Sequence, residues 1–176
     1  MKSNVAAALA AALGTAFIGC SLGYASLRGV VTDASSILAG PSQAFLPTAI
    51  AIAMRNLATA LLLYSGVSTL GVSTLVALLF FGGYVGATFS TAVSSVGFAV
   101  AAGSIAVYAP LEMCGLLVSA TAGLMPVSAA LTRPTDASRS HAYMSCLPPS
   151  LRVLCTGGVV IVVAAALEAA VIVSRG

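Results

Sequence analysis

Charged residues are scarce in this chain of 176 residues: seven Lys or Arg and four Asp or Glu make up 6% of it. An ordinary soluble domain carries about 25% charged residues, and a chain this short exposes much of its surface. Because 60% of the residues are hydrophobic, that surface would be apolar and would aggregate in water. The composition therefore argues against a soluble enzyme and a disordered chain. The thinly spread net charge of +3 also argues against nucleic-acid binding.

Residues that build catalytic or metal centres are also few. The only histidine is His141. The four cysteines show neither metal-ligand nor C-x-x-C spacing, and they are Cys20, Cys114, Cys146 and Cys155. No glycine-rich nucleotide loop and no catalytic triad is recognisable. We therefore expect a protein that is not an enzyme and that uses no metal or cofactor.

Long runs without any charge dominate the sequence and indicate its class. Eighteen or more apolar residues without charges are typical of a transmembrane helix. The charge-free runs are residues 3–27, 34–54, 56–111 and 113–132. Since the apolar residues are continuous and do not alternate, they favour helices over a membrane β-barrel. We predict an all-α, polytopic transmembrane bundle that forms one domain over residues 1–176.

The runs divide into about five spans and one short half-helix. The region 96–131 is too long for one span, and Pro110 interrupts it by removing a backbone donor. We interpret 96–108 as a half-helix, because it rises only about 20 Å against a hydrocarbon core of about 30 Å. The helix break is predicted at Tyr108, Ala109 and Pro110. The full spans are predicted at residues 4–26, 44–64, 69–89, 110–131 and 151–173.

Two features of the topology stay open. With five spans and the N-terminus inside, the cytoplasmic cations would be Lys2, Arg133, Arg139 and Arg152. Six spans would give the same division of charges with the N-terminus outside. The first segment is either a retained helix, which we favour, or a cleaved signal peptide.

The segment 132–150 is the only extended polar stretch, and its Pro, Ser, Arg and Asp residues predict a loop. No other part of the sequence offers comparable polar surface. We therefore predict that this loop docks a partner protein. Its candidate contact residues are Arg133, Asp136, Arg139 and His141.

Small residues are abundant, with 17 glycines in the chain. Helices in lipid associate largely through close approach at small residues. Gly82 and Gly86 form a G-x-x-x-G motif, and Gly66 and Gly71 are further candidates for helix packing. We favour packing inside one bundle over a self-association face. In either case the helices should pack closely, without a roomy cavity.

Four polar residues stand out within the predicted spans: Arg55, Asn56, Glu112 and Glu168. A charge at the bilayer centre costs roughly 2.5–3.5 kcal/mol on insertion scales, so such residues pair, snorkel or face water. One interpretation is a buried bridge between Arg55 and a glutamate that fixes helix register. Another is a polar centre at a broken helix that lines a transport route. The third is snorkelling to the interface.

Three stretches of the sequence carry a family resemblance. Asn56, early in a span, precedes a hairpin punctuated by glycines. Residues 108–115 read Tyr-Ala-Pro-Leu-Glu-Met-Cys-Gly and resemble a His-Gly-x-x-Glu-Leu/Ile-Pro-Ala pattern, with Cys114 in place of its Pro. Residues 166–169 end an Ala-rich stretch in Glu-Ala. Over roughly residues 45–173 the chain resembles the stage II sporulation protein M family of polytopic membrane proteins. Glu112 matches the glutamate of the pattern, whereas Tyr108 and Ala109 replace its His and Gly, so a role of that histidine does not carry over.

The resemblance implies a membrane subunit that is not an enzyme. The namesake family acts as a membrane partner of cell-wall hydrolases. Small members accompany bacteriocin maturation, export or self-immunity together with a separately encoded ABC-type ATPase. We therefore expect a permease-like or scaffolding subunit in the bacterial cytoplasmic membrane, as a homo-oligomer or in a complex with an ATPase or another membrane protein. The alternative is a stand-alone, proton-coupled secondary transporter or channel.

Overall fold

The computed structural model describes residues 2–31, 44–133 and 135–175, and these residues form helices without strands. Five of the helices are long and apolar enough to cross a membrane, which confirms the predicted all-α transmembrane bundle. The helices are α1 (Lys2–Ser26), α2 (Phe45–Tyr64), α3 (Val72–Val96), α4 (Phe98–Ile105), α5 (Ala109–Leu131) and α6 (Asp136–Arg175).

The predicted loop at 132–150 is wrong over most of its length, because α6 begins at Asp136 and continues for 40 residues. Pro148 and Pro149 lie inside this helix, where proline was expected to break it. Tertiary packing outweighs that preference: Ala142, Cys146 and Ser150 repeat every four residues and are all buried. Such spacing places one stripe of small side chains against the neighbouring helices.

Two other elements differ from their predicted bounds. The third span extends to Val96 instead of ending at residue 89. The half-helix is shorter than predicted and occupies Phe98–Ile105. Gly97 separates the two with a φ of 84°, a conformation that residues with a side chain rarely adopt.

Helix α5 is the centre of the bundle. It packs against α1, α2 and α6, and 61% of its most apolar window is buried, against 22–28% for the other four spanning helices. Its inner positions are small enough for close packing. They include Gly115, Ser119, Ala120, Ala122 and Gly123.

Glycines bring the backbones of α1 and α3 together over residues 16–24 and 79–86. A Cβ on Gly82 would lie 2.6 Å from the Ala16 carbonyl oxygen, and one on Gly86 would overlap the Cys20 carbonyl. On the α1 side, a Cβ on Gly19 would lie 2.5 Å from the Leu79 carbonyl oxygen. Residue numbers rise together along the contact, so α1 and α3 run parallel. The structure therefore places the G-x-x-x-G motif inside the bundle.

The connection between α2 and α3 is a compact turn that contains the two other predicted packing glycines. Gly66 is buried against Thr74, and the Gly71 amide donates to the Gly66 carbonyl at 2.7 Å. The Thr74 hydroxyl donates to the Leu63 carbonyl at 2.6 Å. Gly71 has a φ of 88°, a conformation that suits glycine. These contacts fix the point from which α2 and α3 diverge.

Helix α5 starts within the depth of the bundle. After α4, residues 106–108 form a turn, and Ala109 begins α5 with Pro110 in its first positions. Ala109 lines the same groove as Tyr84 and Val85, which lie roughly 16 Å before the end of α3 at the usual helix rise. The predicted break thus places the N-terminal turn of α5 beside the middle of α3, a helix that is long and apolar enough to cross a membrane.

Candidate functional site: a groove between α2 and α3

A groove of about 770 Å³ separates α2 from α3. The start of α5 and Glu168 of α6 also line it. Its α2 wall includes Ile52, Thr59 and Leu62, and its α3 wall includes Val76, Phe80 and Tyr84. The expectation of a bundle without a roomy cavity is therefore wrong. Large side chains line this groove, whereas the contact between α1 and α3 is made by glycines, which have no side chain.

The structure brings the four predicted polar residues together at this groove. Arg55 and Asn56 lie in the middle of α2, Glu112 in the first turn of α5, and Glu168 late in α6. Because α2 and α3 run antiparallel from their turn, Ser73 and Leu62 mark one end of the groove. The polar residues occupy the other end, beside the start of α5.

Asn56 is the inward-facing member of the group. Its side chain is 8% exposed, and it shares the buried face of α2 with Thr48, Ala60 and Leu63. Its side chain hydrogen-bonds to the Glu112 carboxyl group. An amide beside a carboxylate supplies the partner that a polar group in a low-dielectric site needs.

Glu112 and Glu168 are both half-buried. Glu112 follows Pro110 in the first turn of α5, where the helix dipole favours a negative charge. Glu168 is close enough to interact electrostatically with Glu112 and with Arg55. The carboxyl groups come from opposite ends of two antiparallel helices, so the fold places two acids at one site.

Arg55 does not form the buried bridge considered above. Its side chain is exposed, and within the part of the chain that the structure describes it makes no direct ion pair with either glutamate. Its influence on both is electrostatic and longer in range. The reason is helix geometry: adjacent residues are rotated by about 100°, so placing Asn56 inward turns Arg55 toward the groove opening.

The arrangement can hold a charged or polar group. Two carboxyl groups face one guanidinium, so a fully ionised site would carry a net negative charge. No group of three or more His, Cys, Asp or Glu residues that could hold a metal ion occurs among the described residues. The residues present supply hydrogen bonding and charge compensation in an apolar surrounding.

The aromatic wall was missed by sequence analysis. Phe80 and Tyr84 are one helical turn apart, and their side chains are 75% and 60% exposed. Their spacing alone does not distinguish groove-lining residues from ordinary lipid-facing ones. The useful signal was that both lie on the face of α3 opposite the G-x-x-x-G motif.

The predicted docking residues lie at the end of the bundle opposite the polar cluster. Arg133 follows α5, and Arg139 and His141 lie on the first turns of α6. The Arg139 Nε donates to the Arg133 carbonyl at 3.0 Å. Asp136 begins α6, but its side chain lies outside the described residues.

Comparison with known proteins identifies the family. The family model for Stage II sporulation protein M matches residues 7–171, which include every residue that lines the groove. No curated protein and no solved structure matches the chain significantly. With its five apolar helices, the chain is a multi-pass membrane protein that belongs to the stage II sporulation protein M family.

Proposed function

We propose that this protein is a non-enzymatic, permease-like or scaffolding subunit of a larger membrane assembly. In this proposal the groove between α2 and α3 receives an apolar segment of a peptide or of a partner protein. The observation that carries it is the groove itself, which joins an open apolar wall to a polar cluster within the membrane-spanning region. Polar residues inside membranes commonly mark such functional sites.

The exposure of the groove supports an occupant. Arg55, Phe80 and Tyr84 all line it and all are exposed, so they would face lipid in the isolated chain. An arginine surrounded by hydrocarbon is costly. A second apolar segment would cover the aromatic wall and bring polar groups to the cluster, which is how helices associate in a bilayer.

The family supports a role in peptide export or immunity, or in remodelling of the cell envelope. We recognise no nucleotide-binding motif in the sequence, so energy from ATP would come from a partner such as an ABC-type ATPase. With five spans, Lys2, Arg133, Arg139 and Arg152 share one side of the membrane. The positive-inside rule makes that side cytoplasmic, which suits a bacterial cytoplasmic membrane and an ATPase docked near the start of α6.

The test is photo-cross-linking in the native host. A benzophenone amino acid replaces Phe80 in the groove or, as matched control, Phe17 on α1; the two side chains are 75% and 73% exposed. After irradiation, the complex is purified in mild detergent and adducts are identified by mass spectrometry. We expect position 80 to give an adduct with a defined apolar segment of another polypeptide, and position 17 to give only lipid.

The outcomes separate the proposals. Equal adducts at both positions would contradict a binding groove. A particle that contains only this chain, with lipid alone at position 80, would overturn the assembly role. That result would favour the second candidate, a stand-alone proton-coupled transporter or channel. The proximity of Glu112 to Glu168 supports this candidate, because paired carboxyl groups within membranes commonly relay protons.

A further inference from the structure

A second cavity, of about 610 Å³, lies at the other end of the bundle. The start of α1, the end of α5 and the first half of α6 form its walls. Its polar residues include Asn4, Arg133, Ser138 and His141. Its apolar residues are Ala129, Ala142, Cys146 and Pro149. The cavity thus combines a basic, polar part with an apolar part.

Contacts between elements hold the walls of this cavity in place. The Ser128 hydroxyl donates to the Asn4 carbonyl at 3.1 Å and ties the start of α1 to α5. The Arg139 Nε donates to the Arg133 carbonyl at 3.0 Å and fixes the connection before α6. The bond from Arg139 uses the backbone of Arg133 and not its guanidinium group.

The cavity lies at the level where the spanning helices end. The turn after α2 is at the same level, because the Tyr143 hydroxyl donates to the Val67 carbonyl and the Tyr64 and Ser150 hydroxyls are 3.1 Å apart. Helix α5 also ends here, at Leu131. A helix as long as α6 rises roughly 60 Å against a core of about 30 Å, so its polar first turns project past the hydrocarbon.

Two groups at the cavity suit a phosphate group. Among the described side chains, neither the Arg133 guanidinium nor the His141 imidazole has a hydrogen-bond or ion-pair partner. Arginine presents a planar fork of donors that matches phosphate oxygens. Arg139 and Arg152 add positive charge along α6, and basic sites between helices at the cytoplasmic surface recognise anionic lipid headgroups.

We propose that this cavity binds the headgroup of an anionic phospholipid. Arg133 and His141 contact the phosphate, and the glycerol end and first acyl carbons lie over Ala129, Ala142 and Pro149. This site is independent of the groove and of the occupant proposed for it. The bound lipid would join α1, α5 and α6 where a cytoplasmic partner could dock.

The test measures lipid binding by the purified full chain in a neutral detergent. Native mass spectrometry and the thermal unfolding midpoint are followed while dioctanoyl phosphatidylglycerol is added. Parallel titrations use dioctanoyl phosphatidylcholine and inorganic phosphate. We expect saturable binding and a raised midpoint with phosphatidylglycerol alone. Arg133→Gln should weaken that binding about five-fold, the effect of one cation near the surface.

Arg152→Gln is the matched control, because Arg152 is an exposed cation on α6 that does not line the cavity. It should leave the affinity within two-fold or so of the parent. Arg133→Lys, which keeps the charge, should retain most of the binding if Arg133→Gln proves unstable. Equal effects of the two lipids, or equal losses in Arg133→Gln and Arg152→Gln, would overturn the proposal. Inorganic phosphate as effective as the lipid would replace the lipid with a soluble phosphate ligand.

Discussion

Helix α3 makes two opposite kinds of contact, one on each of its faces. Toward α1 it presents Gly82 and Gly86, and the two backbones meet with no side chain between them. Toward α2 it presents Phe80 and Tyr84, and a groove of about 770 Å³ remains open. One helix therefore serves both as a structural element and as the wall of a candidate binding site. The size of its side chains decides which.

The physical reason is that lipid supplies no hydrophobic force between apolar helices. Association relies on van der Waals contact and on hydrogen bonds, and both require close approach. Gly19, Gly82 and Gly86 permit that approach between α1 and α3. Val76 and Phe80 keep α2 and α3 apart, so only a third segment could fill the space between them. The α1–α3 contact should therefore be sensitive to added volume. The α2–α3 groove should be sensitive to the loss of its internal hydrogen bond.

The largest effect is expected from adding a methyl group to the glycine contact. Gly86→Ala would place a Cβ against the Cys20 carbonyl, which is backbone and cannot rotate away. Overpacking of this kind costs about 1–3 kcal/mol, and we expect a loss near the upper value. The measurement is reversible unfolding in mixed detergent micelles.

Gly14→Ala is the control for that variant, because a Cβ at Gly14 has nothing within 4 Å. Alanine is the better helix former by about 1 kcal/mol, so this variant should be as stable as the parent or more so. Equal losses in the two variants would mean that α1 is not packed against α3 through these glycines.

An intermediate effect is expected at the inner end of the groove. Asn56→Leu would remove the side chain that hydrogen-bonds to Glu112 and leave a half-buried carboxyl group without it. An unsatisfied buried polar group costs about 1–3 kcal/mol, and we expect a loss of about 2 kcal/mol because Glu112 is only half-buried.

Thr59→Val tests whether any polar loss in the groove has the same effect. Thr59 lines the groove, but its hydroxyl bonds to the Arg55 carbonyl one turn back in the same helix. We expect a change of about 0.5 kcal/mol or less. A similar loss in both variants would show that the bond to Glu112 has no special role.

The bundle could be predicted from sequence because bilayer thickness fixes the length of a spanning helix, and only 6% of the residues are charged. The short α4 could be predicted because residues 96–131 are too many for one span and Pro110 interrupts them. The long α6 was missed because the segment before residue 150 contains Pro148 and Pro149 and has the composition of a loop. The buried stripe at Ala142, Cys146 and Ser150, which favours a helix there, is visible only once the neighbouring helices are in place.

The candidate site was predictable as a set of residues but not as a geometry. Few polar residues fall inside the spans, so those few could be grouped without knowing the fold. Which of Arg55 and Asn56 faces inward could not be deduced, because the helix is apolar on all sides and has no polar face to orient it. The groove was missed because abundant glycine indicates close packing on average but not on which side of α3 it occurs.

The smallest effect is expected at Arg55, next to the residue whose loss should matter. Arg55→Leu removes a long-range attraction to Glu112 and Glu168, but it also removes the cost of a guanidinium that is exposed within a spanning helix. The two changes oppose each other, so the free energy of unfolding should change by less than about 1 kcal/mol. Arg55→Lys keeps the charge and should behave like the parent.

If Arg55→Leu loses as much stability as Asn56→Leu, Arg55 must be paired directly with a carboxylate, and the groove would be closed by its own side chains in the membrane. If it loses none, the open groove is the resting state of the bundle, and the two glutamates remain available to whatever occupies it.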